Sequence, residues 1–484
     1  MTYSNPLLKT KALINGIWCD ADDGKHFAVS NPANDETIAD IPDLGARETE
    51  RAIAAADAAW PAWRALPARQ RSSLLRRWYE LIIEHADALA GLITTEQGKP
   101  LKEALGEVTY GASFVEWFAE EAKRTYGDII PGTSANQRSL ALRQPVGVVA
   151  AITPWNFPLA MITRKCAPAL AAGCPVIIKP AEQTPLTALA LAELAVQAGF
   201  PAGTFNVITA ASGETIGQTL TQSRTVRKLS FTGSTEVGKL LLRQCADTVK
   251  KVSMELGGNA PFIVFDDADL DLAVKGAMAS KYRNSGQTCI SANRFIVQAG
   301  IYDAFIDKLG SAIPSLQVGP GDIEGTEQGP LIDLHAVEKV EQHIADAVTH
   351  GAKIVCGGKR HQLGGNYFEP TLLSGVTPDA MVAREETFGP VAPVFQFSGE
   401  EEGINLANDT ESGLAAYCYT NNHARIWRIT DALEYGMIGI NESNISSEVA
   451  PFGGLKESGL GREGSKYGIE EFMEIKYACI GGLE

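Results

Sequence analysis

Val146-Gly147-Val148-Val149-Ala150-Ala151-Ile152 carries no charge, and it runs straight into the proline-bounded turn Thr153-Pro154-Trp155-Asn156-Phe157-Pro158. A short continuous apolar run closed by turn residues marks a strand buried on both faces, as in a parallel sheet. Working outward, the pattern repeats. A helical stretch Leu159 to Ala172 leads to a second apolar run, Pro175-Val176-Ile177-Ile178-Lys179. A helix Pro185 to Ala198 and the runs Asn206-Val207-Ile208 and Lys228-Leu229-Ser230-Phe231 follow. Strands alternating with helices predict a doubly wound α/β domain. Beyond Gly258 the alternation starts again, with Phe262-Ile263-Val264-Phe265, a helix Asp269 to Tyr282, and Arg294-Phe295-Ile296-Val297. A second α/β domain is therefore expected.

The flanks read differently. Leu13 to Trp18 opens a hairpin, Phe27-Ala28-Val29 runs into the turn signal Asn31-Pro32, and from Ala46 the pattern turns helical. Three helices are expected, through Ala59, from Ser72 to Gly91 and from Lys102 to Lys123, with breaks at Pro61, Pro67 and Gly98-Lys99-Pro100. Trp60, Trp63, Trp78 and Trp117 read as packing residues. Gly127 to Arg143 is polar with alternating apolar positions and suits an extended excursion. Phe472 to Ile480 is a strand whose exposed edge needs a partner.

The length of 484 residues exceeds one ordinary core, and 45% hydrophobic with 21% charged residues is the composition of a globular protein. A net charge of -16 with scattered cations argues against nucleic acid and anionic membranes as partners. No signal-like segment or membrane-length apolar run is visible, so a cytoplasmic protein is expected. The eight cysteines lack Cys-x-x-Cys spacing and the seven histidines do not cluster, so neither a disulfide framework nor a metal site is expected. His335, His343 and His350 fall in a charged helical stretch and read as solvated.

Three stretches carry chemistry, and two more suit a dinucleotide. Gly286-Gln287-Thr288-Cys289 ends a glycine-led turn on a lone cysteine with polar flanks, a candidate nucleophile once ionised. Taken alone, such a cysteine is more often a buried structural residue. In Met254-Glu255-Leu256-Gly257-Gly258-Asn259 a carboxylate precedes a glycine pair that permits close backbone approach, and Glu255 is a candidate general base. The Asn156 amide, fixed between Pro154 and Pro158, is a candidate donor to an oxyanion. Thr232-Gly233-Ser234-Thr235-Glu236-Val237-Gly238-Lys239 is a strand, glycine turn and helix start whose amides suit a pyrophosphate. Lys179-Pro180-Ala181-Glu182 closes the second strand, where Lys179 donates to ribose hydroxyls and Glu182 accepts from a 2′-hydroxyl and repels a 2′-phosphate. Equally, Glu182 reads as a surface carboxylate at a helix start. Gly459-Leu460-Gly461-Arg462-Glu463-Gly464 matches Gly-x-Gly-x-x-Gly in letters, but no hydrophobic strand precedes it, so it is set aside.

With these motifs in order, the chain resembles the aldehyde dehydrogenase superfamily over nearly its whole length, and most resembles succinate-semialdehyde dehydrogenases. The resemblance implies two doubly wound α/β domains plus a small β arm. The dinucleotide-binding domain would take residues 1-126 and 146-257, the catalytic domain 258-457, and the oligomerisation arm 127-145 and 458-484. It implies NAD, preferred over NADP, held by Thr153, Trp155, Lys179, Glu182, Gly233, Ser234 and Gly238, with Glu386 on the nicotinamide ribose and Phe388 near the ring. It implies Cys289 as nucleophile, Asn156 and the Cys289 N-H as oxyanion donors, and Glu255 activating water. Segments around Arg164, Arg283 and Ile445-Ser446-Ser447 resemble the substrate-carboxylate site of that subfamily, through either Ser446 or Ser447, with Phe452 lining the pocket. The expected substrate is a small carboxylated aldehyde, succinate semialdehyde or, one methylene longer, glutarate semialdehyde. A homodimer or homotetramer is implied. Ser291 stands where many of the subfamily carry a second cysteine. A non-redox alternative, an esterase or a structural lens-type protein, keeps the fold; the intact Cys289, Glu255 and Asn156 argue against the structural version.

Overall fold

The computed structural model describes residues 5–483. Its frame is two large sheets, and the chain passes from one to the other between Glu255 and Ala260. In the first, five parallel strands lie in the order Phe205–Val207, Val176–Lys179, Val148–Ile152, Val226–Thr232, Lys251–Glu255. The hairpin Ala12–Ile14/Ile17–Cys19 adds antiparallel at one edge and Gly459–Leu460 at the other. The chain order reverses between Val148–Ile152 and Val226–Thr232, so the crevice for a ligand opens past Ile152 and Thr232. Glu255 ends the neighbouring strand, in register with Thr232.

The second sheet runs Lys353–Cys356, Thr371–Ser374, Val391–Phe397, Ala292–Gln298, Ala260–Val264, Ala415–Tyr419, Met437–Ile440, parallel except for its first strand. Ala260–Val264 starts five residues after Glu255, and Cys289 lies just before Ala292–Gln298. The nucleophile therefore sits where the second sheet begins and the carboxylate where the first one ends.

Helices Ala46–Ala65, Ala68–Glu84, Ala86–Gln97 and Leu101–Glu121 cover the first sheet. They are four, where the sequence suggested three. Pro61 lies within the first of them rather than breaking it, and the Ser72 to Gly91 stretch is split at His85. Trp63 and Trp78 are fully buried between these helices and Phe200 and Phe205. Each sheet face has its own apolar layer, one centred on Val149, Ile178 and Leu189, another on Phe262, Phe295 and Tyr417.

The excursion forms a three-stranded sheet in the order Met473–Ile480, Arg138–Pro145, Asp128–Ile130. Ile129, Ile475 and Tyr477 are each at least 63% exposed on it, an apolar surface unusual for a free edge. The segment before it stays with the first domain: Gly459–Leu460 extends that sheet and Ile469 and Phe472 join its core. Among the described residues no helix is long and apolar enough to cross a membrane.

Candidate active site

The cysteine turn is a backbone device. Asn284, Ser285 and Gly286 take successive left-handed conformations, with φ of 50°, 57° and 76°. A Cβ on Gly286 would stand 2.2 Å from the Gly389 carbonyl oxygen, so only glycine fits that close crossing. The turn carries Cys289 half-buried into a cavity of about 310 Å³. Gly258 packs directly behind it, where an added Cβ would lie 2.4 Å from the Cys289 carbonyl oxygen. The glycine pair of the Glu255 motif thus lets the first sheet's exit strand touch the nucleophile's backbone.

Asn156 is buried in the same place. Its Nδ2 donates to Gln287 O at 3.0 Å, which aims the amide at the cysteine turn, while the Asn156 backbone carbonyl accepts from Lys99 Nζ at 2.7 Å and Asn284 Nδ2 at 3.1 Å. Lys99 in turn pairs with Glu107 at 2.6 Å, both fully buried, and Glu107 caps the Leu159 and Ala160 amides. Lys99 was missed from sequence because Gly98-Lys99-Pro100 reads as a helix break.

Glu255 is 3% exposed and neither carboxylate oxygen has a hydrogen-bond partner among the described residues. Burial first, then the negative charge of Glu463, pushes it well above the usual carboxylate range, against Arg164, Lys165 and Arg462. The Cys289 thiol is pushed up to about 12 by burial and Glu386, with Glu255 adding and Arg164 and Arg283 opposing. An unliganded site therefore holds a neutral thiol.

The cavity is lined by Glu103, Tyr110, Phe157, Met161, Arg164, Arg283, Asn444, Ser446 and Phe452, besides Thr288 and Cys289. Arg164, Arg283 and Phe452 are brought together as the sequence suggested; of the two serines, Ser446 lines the cavity and Ser447 does not. Ser446 shares a short hydrogen bond with the Tyr110 hydroxyl. Arg164 is 1% exposed, stacked 3.8 Å over the Phe452 ring and ion-paired to Glu463 at 2.8 Å. Arg283 lies 5.6 Å from the Phe157 ring and makes no ion pair among the described residues. Tyr110 and Glu463 escaped the sequence reading: Tyr110 sits on a helix that looks like packing, and Glu463 is inside the discarded glycine stretch.

On the far side of Cys289, the Arg384 to Pro390 turn brings Glu386 and Phe388 to the cleft. The Phe388 ring meets Trp155 edge-on at 5.5 Å. Glu386 lies against Gly257, where an added Cβ would sit 2.9 Å from its Oε2. Burial raises Glu386 to about 7, against the Gly258 N-H and the charges of Lys339 and Lys281; burial lowers Lys281 to about 7. His343 is not solvated as its charged surroundings suggested. It is fully buried, with Nδ1 3.2 Å from Thr387 Oγ1, and its ring braces this turn. At the crevice mouth Lys179 Nζ donates to Glu182 at 3.0 Å. Ser234 caps helix Thr235–Ala246 by accepting from Val237 N, and Gly238 is buried in its first turn. Thr153 is buried beside them, and its N-H donates to Lys179 O at 3.1 Å. Among the described residues no group of three or more His, Cys, Asp or Glu is placed to hold a metal ion.

The sequence model described as the Aldehyde dehydrogenase family matches residues 18–478. The chain belongs to that family. Among curated relatives, this aldehyde dehydrogenase is 61% identical to a glutarate-semialdehyde dehydrogenase of Pseudomonas aeruginosa over 477 residues, 99% of each chain. It is also 61% identical to the NADP(+) succinate-semialdehyde dehydrogenase of Escherichia coli over 475 residues, 98% of each. A crystal structure of succinate-semialdehyde dehydrogenase from Burkholderia pseudomallei superposes with a TM-score of 0.98 at 58% identity, covering 99% of this chain and 100% of that one. The two-domain α/β aldehyde dehydrogenase fold follows from both the topology and this superposition.

Proposed function

We propose that the enzyme oxidises a short aldehyde bearing a carboxylate at its far end, succinate semialdehyde or glutarate semialdehyde, to the dicarboxylic acid. The observation that carries this reading is Arg283, a cation without an ion-pair partner among the described residues, at the wall of the Cys289 cavity. Arg164, Ser446 and Tyr110 line the same cavity, with the Tyr110 hydroxyl 3.5 Å from Arg164 Nη1, and together these groups offer charge-assisted hydrogen bonds to one carboxylate. The names of the Pseudomonas and Escherichia relatives point to the same substrate class.

The residues around the crevice fit a nicotinamide dinucleotide. The amides of the Gly233 to Gly238 turn suit a pyrophosphate, Lys179 and Glu182 an adenosine ribose, Glu386 the second ribose, and Trp155 with Phe388 an aromatic ring. When bound, this cosubstrate accepts the hydride. Cys289 gives up its thiol proton to solvent and, as thiolate, adds to the aldehyde carbon, and Asn156 Nδ2 with the Cys289 N-H holds the oxyanion. Loss of hydride leaves a thioester on Cys289. Glu255 takes a proton from water, hydroxide adds to the thioester carbon, and the C–S bond breaks to release the acid and the thiol. The isolated, high-affinity Glu255 carboxylate suits that base role. Glu182 favours NAD, while its ion pair with Lys179 and the NADP(+) relative leave NADP as the second cosubstrate.

Initial rates with NAD and NADP on succinate semialdehyde, glutarate semialdehyde and an uncharged aldehyde of similar length test this. Preference for the carboxylated pair by about tenfold or more in kcat/KM is expected. Equal rates with the uncharged aldehyde would remove the carboxylate site and leave a general aldehyde dehydrogenase.

A further inference from the structure

Phe388, whose ring meets Trp155 at the crevice, has a left-handed backbone with φ of 54°. A bulky residue keeps that conformation only where its surroundings enforce it. Helix Leu334–Thr349 supplies three of the constraints from one face, at Lys339, Val340 and His343. Lys339 Nζ donates to the Glu386 carbonyl at 2.7 Å. Val340 lies so close to Gly389 that an added Cβ there would stand 2.4 Å from Val340 Cγ2. His343, fully buried, has Nδ1 3.2 Å from Thr387 Oγ1 and Nε2 3.4 Å from Glu385 Oε2. From the other side Asn293 Oδ1 accepts from Thr387 N at 3.1 Å, and Asn293 Nδ2 donates to Glu385 O at 3.0 Å. Thr387, 1% exposed, is thus held by its backbone on one side and its hydroxyl on the other, directly between Glu386 and Phe388.

We propose that His343 is a positioning residue for the dinucleotide: by holding the Thr387 hydroxyl it fixes the backbone between Glu386 and Phe388, so that the carboxylate and the ring are in place before a ligand arrives. A neutral imidazole with its proton on Nε2 serves both contacts, accepting from the Thr387 hydroxyl and presenting the proton to Glu385. Packing alone does not account for an imidazole here, because an aliphatic side chain in its place would leave the buried Thr387 hydroxyl without a partner. The assignment rests on the reading of Glu386 and Phe388 as contacts of the nicotinamide ribose and ring.

The test reads the turn and the ligand separately. His343→Leu removes the imidazole; Thr387→Val removes the same contact from its other end and carries the test alone should His343→Leu not fold. In either variant, without cosubstrate, deuterium uptake by a peptide spanning residues 384–390 should be about threefold to tenfold faster, and the dissociation constant for NADH from fluorescence titration should rise by a similar factor. The rate of Cys289 alkylation by iodoacetamide should not change, since the cysteine turn keeps its own anchor, the Asn284 N-H donating to Glu103 at 2.8 Å. The double variant should be no worse than either single one, because each removes the same contact. Unchanged uptake, additive losses in the double variant, or an alkylation rate that falls along with NADH affinity would overturn the proposal and leave His343 as a packing residue. Glu386→Gln separates this from the cosubstrate reading. If that variant weakens NADH binding while His343→Leu and Thr387→Val do not, the positioning role is overturned. If Glu386→Gln leaves NADH affinity unchanged, the cosubstrate reading fails, and the uptake measurement still decides whether His343 holds the turn.

Discussion

Gly258→Ala isolates the close approach on which the site depends. An added Cβ would stand 2.4 Å from the Cys289 carbonyl oxygen, whereas ordinary contact begins near 3.4 Å, so about 1 Å must open between the Glu255 strand exit and the cysteine turn. The obstacle is backbone on both sides and no side chain can swing away. Displacing a nucleophile by about 1 Å costs on the order of 10²-fold in rate, so kcat/KM should fall by about 10²-fold, with the iodoacetamide rate of Cys289 changed far less because alkylation needs no alignment with Glu255. Gly217→Ala serves as the control. It lies mid-helix in Gly213–Gln222 with its nearest neighbour, a Leu241 methyl, at 3.6 Å, and should leave kcat/KM unchanged while stabilising the fold by about 0.4–1 kcal/mol. Steady-state kinetics and thermal unfolding of both variants are sufficient. A folded Gly258→Ala enzyme within about threefold of wild type in kcat/KM would refute the idea that this contact fixes the catalytic geometry.

Glu255→Gln should retain hydride transfer and lose deacylation, giving a burst of reduced cosubstrate followed by turnover slowed by about 10²–10⁴-fold in stopped-flow absorbance. Because the resting Cys289 thiol titrates near 12, kcat/KM of the wild type should rise with pH through the neutral range, and a flat profile from pH 6 to 9 would show that a bound group ionises the thiol first. Lys281 is 1% exposed and titrates near 7 in the fold against 10.5 when free. Unfolding takes up its proton between those values, so stability should rise with pH across that window, and below pH 7 the buried charge costs up to about 5 kcal/mol. Lys281→Met should therefore raise the unfolding temperature at pH 6 and do so progressively less toward pH 10.

The fold was legible because its signals are local. Apolar runs such as Val148–Ile152 and Val176–Lys179 have no alternative to a buried parallel strand, and the Asn15-Gly16 turn fixes the hairpin Ala12–Ile14/Ile17–Cys19. The helical layer was read less well, because the Pro61 position is tolerated inside a helix and nothing in Ser72 to Gly91 announces the break at His85. Cys289, Glu255, Asn156 and the Arg283 wall were visible as motifs. What supports them was not. Lys99, Tyr110 and Glu463 are brought to the cavity from remote segments, and a charged residue that pairs across 298 positions, as Glu463 does with Lys165, leaves no mark in its neighbours. The solvated reading of His343 failed for the same reason: its helix is charged on one side, and only the packed Arg384 to Pro390 turn shows that this residue faces the other.

The most direct test is to trap the acyl-enzyme. Glu255→Gln mixed with NAD and succinate semialdehyde, quenched within the burst and digested, should show a succinyl adduct on the Cys289 peptide in an amount matching the cosubstrate reduced. An adduct on another residue, or cosubstrate reduction with no adduct at all, would contradict a thioester carried by Cys289 and hydrolysed with the help of Glu255.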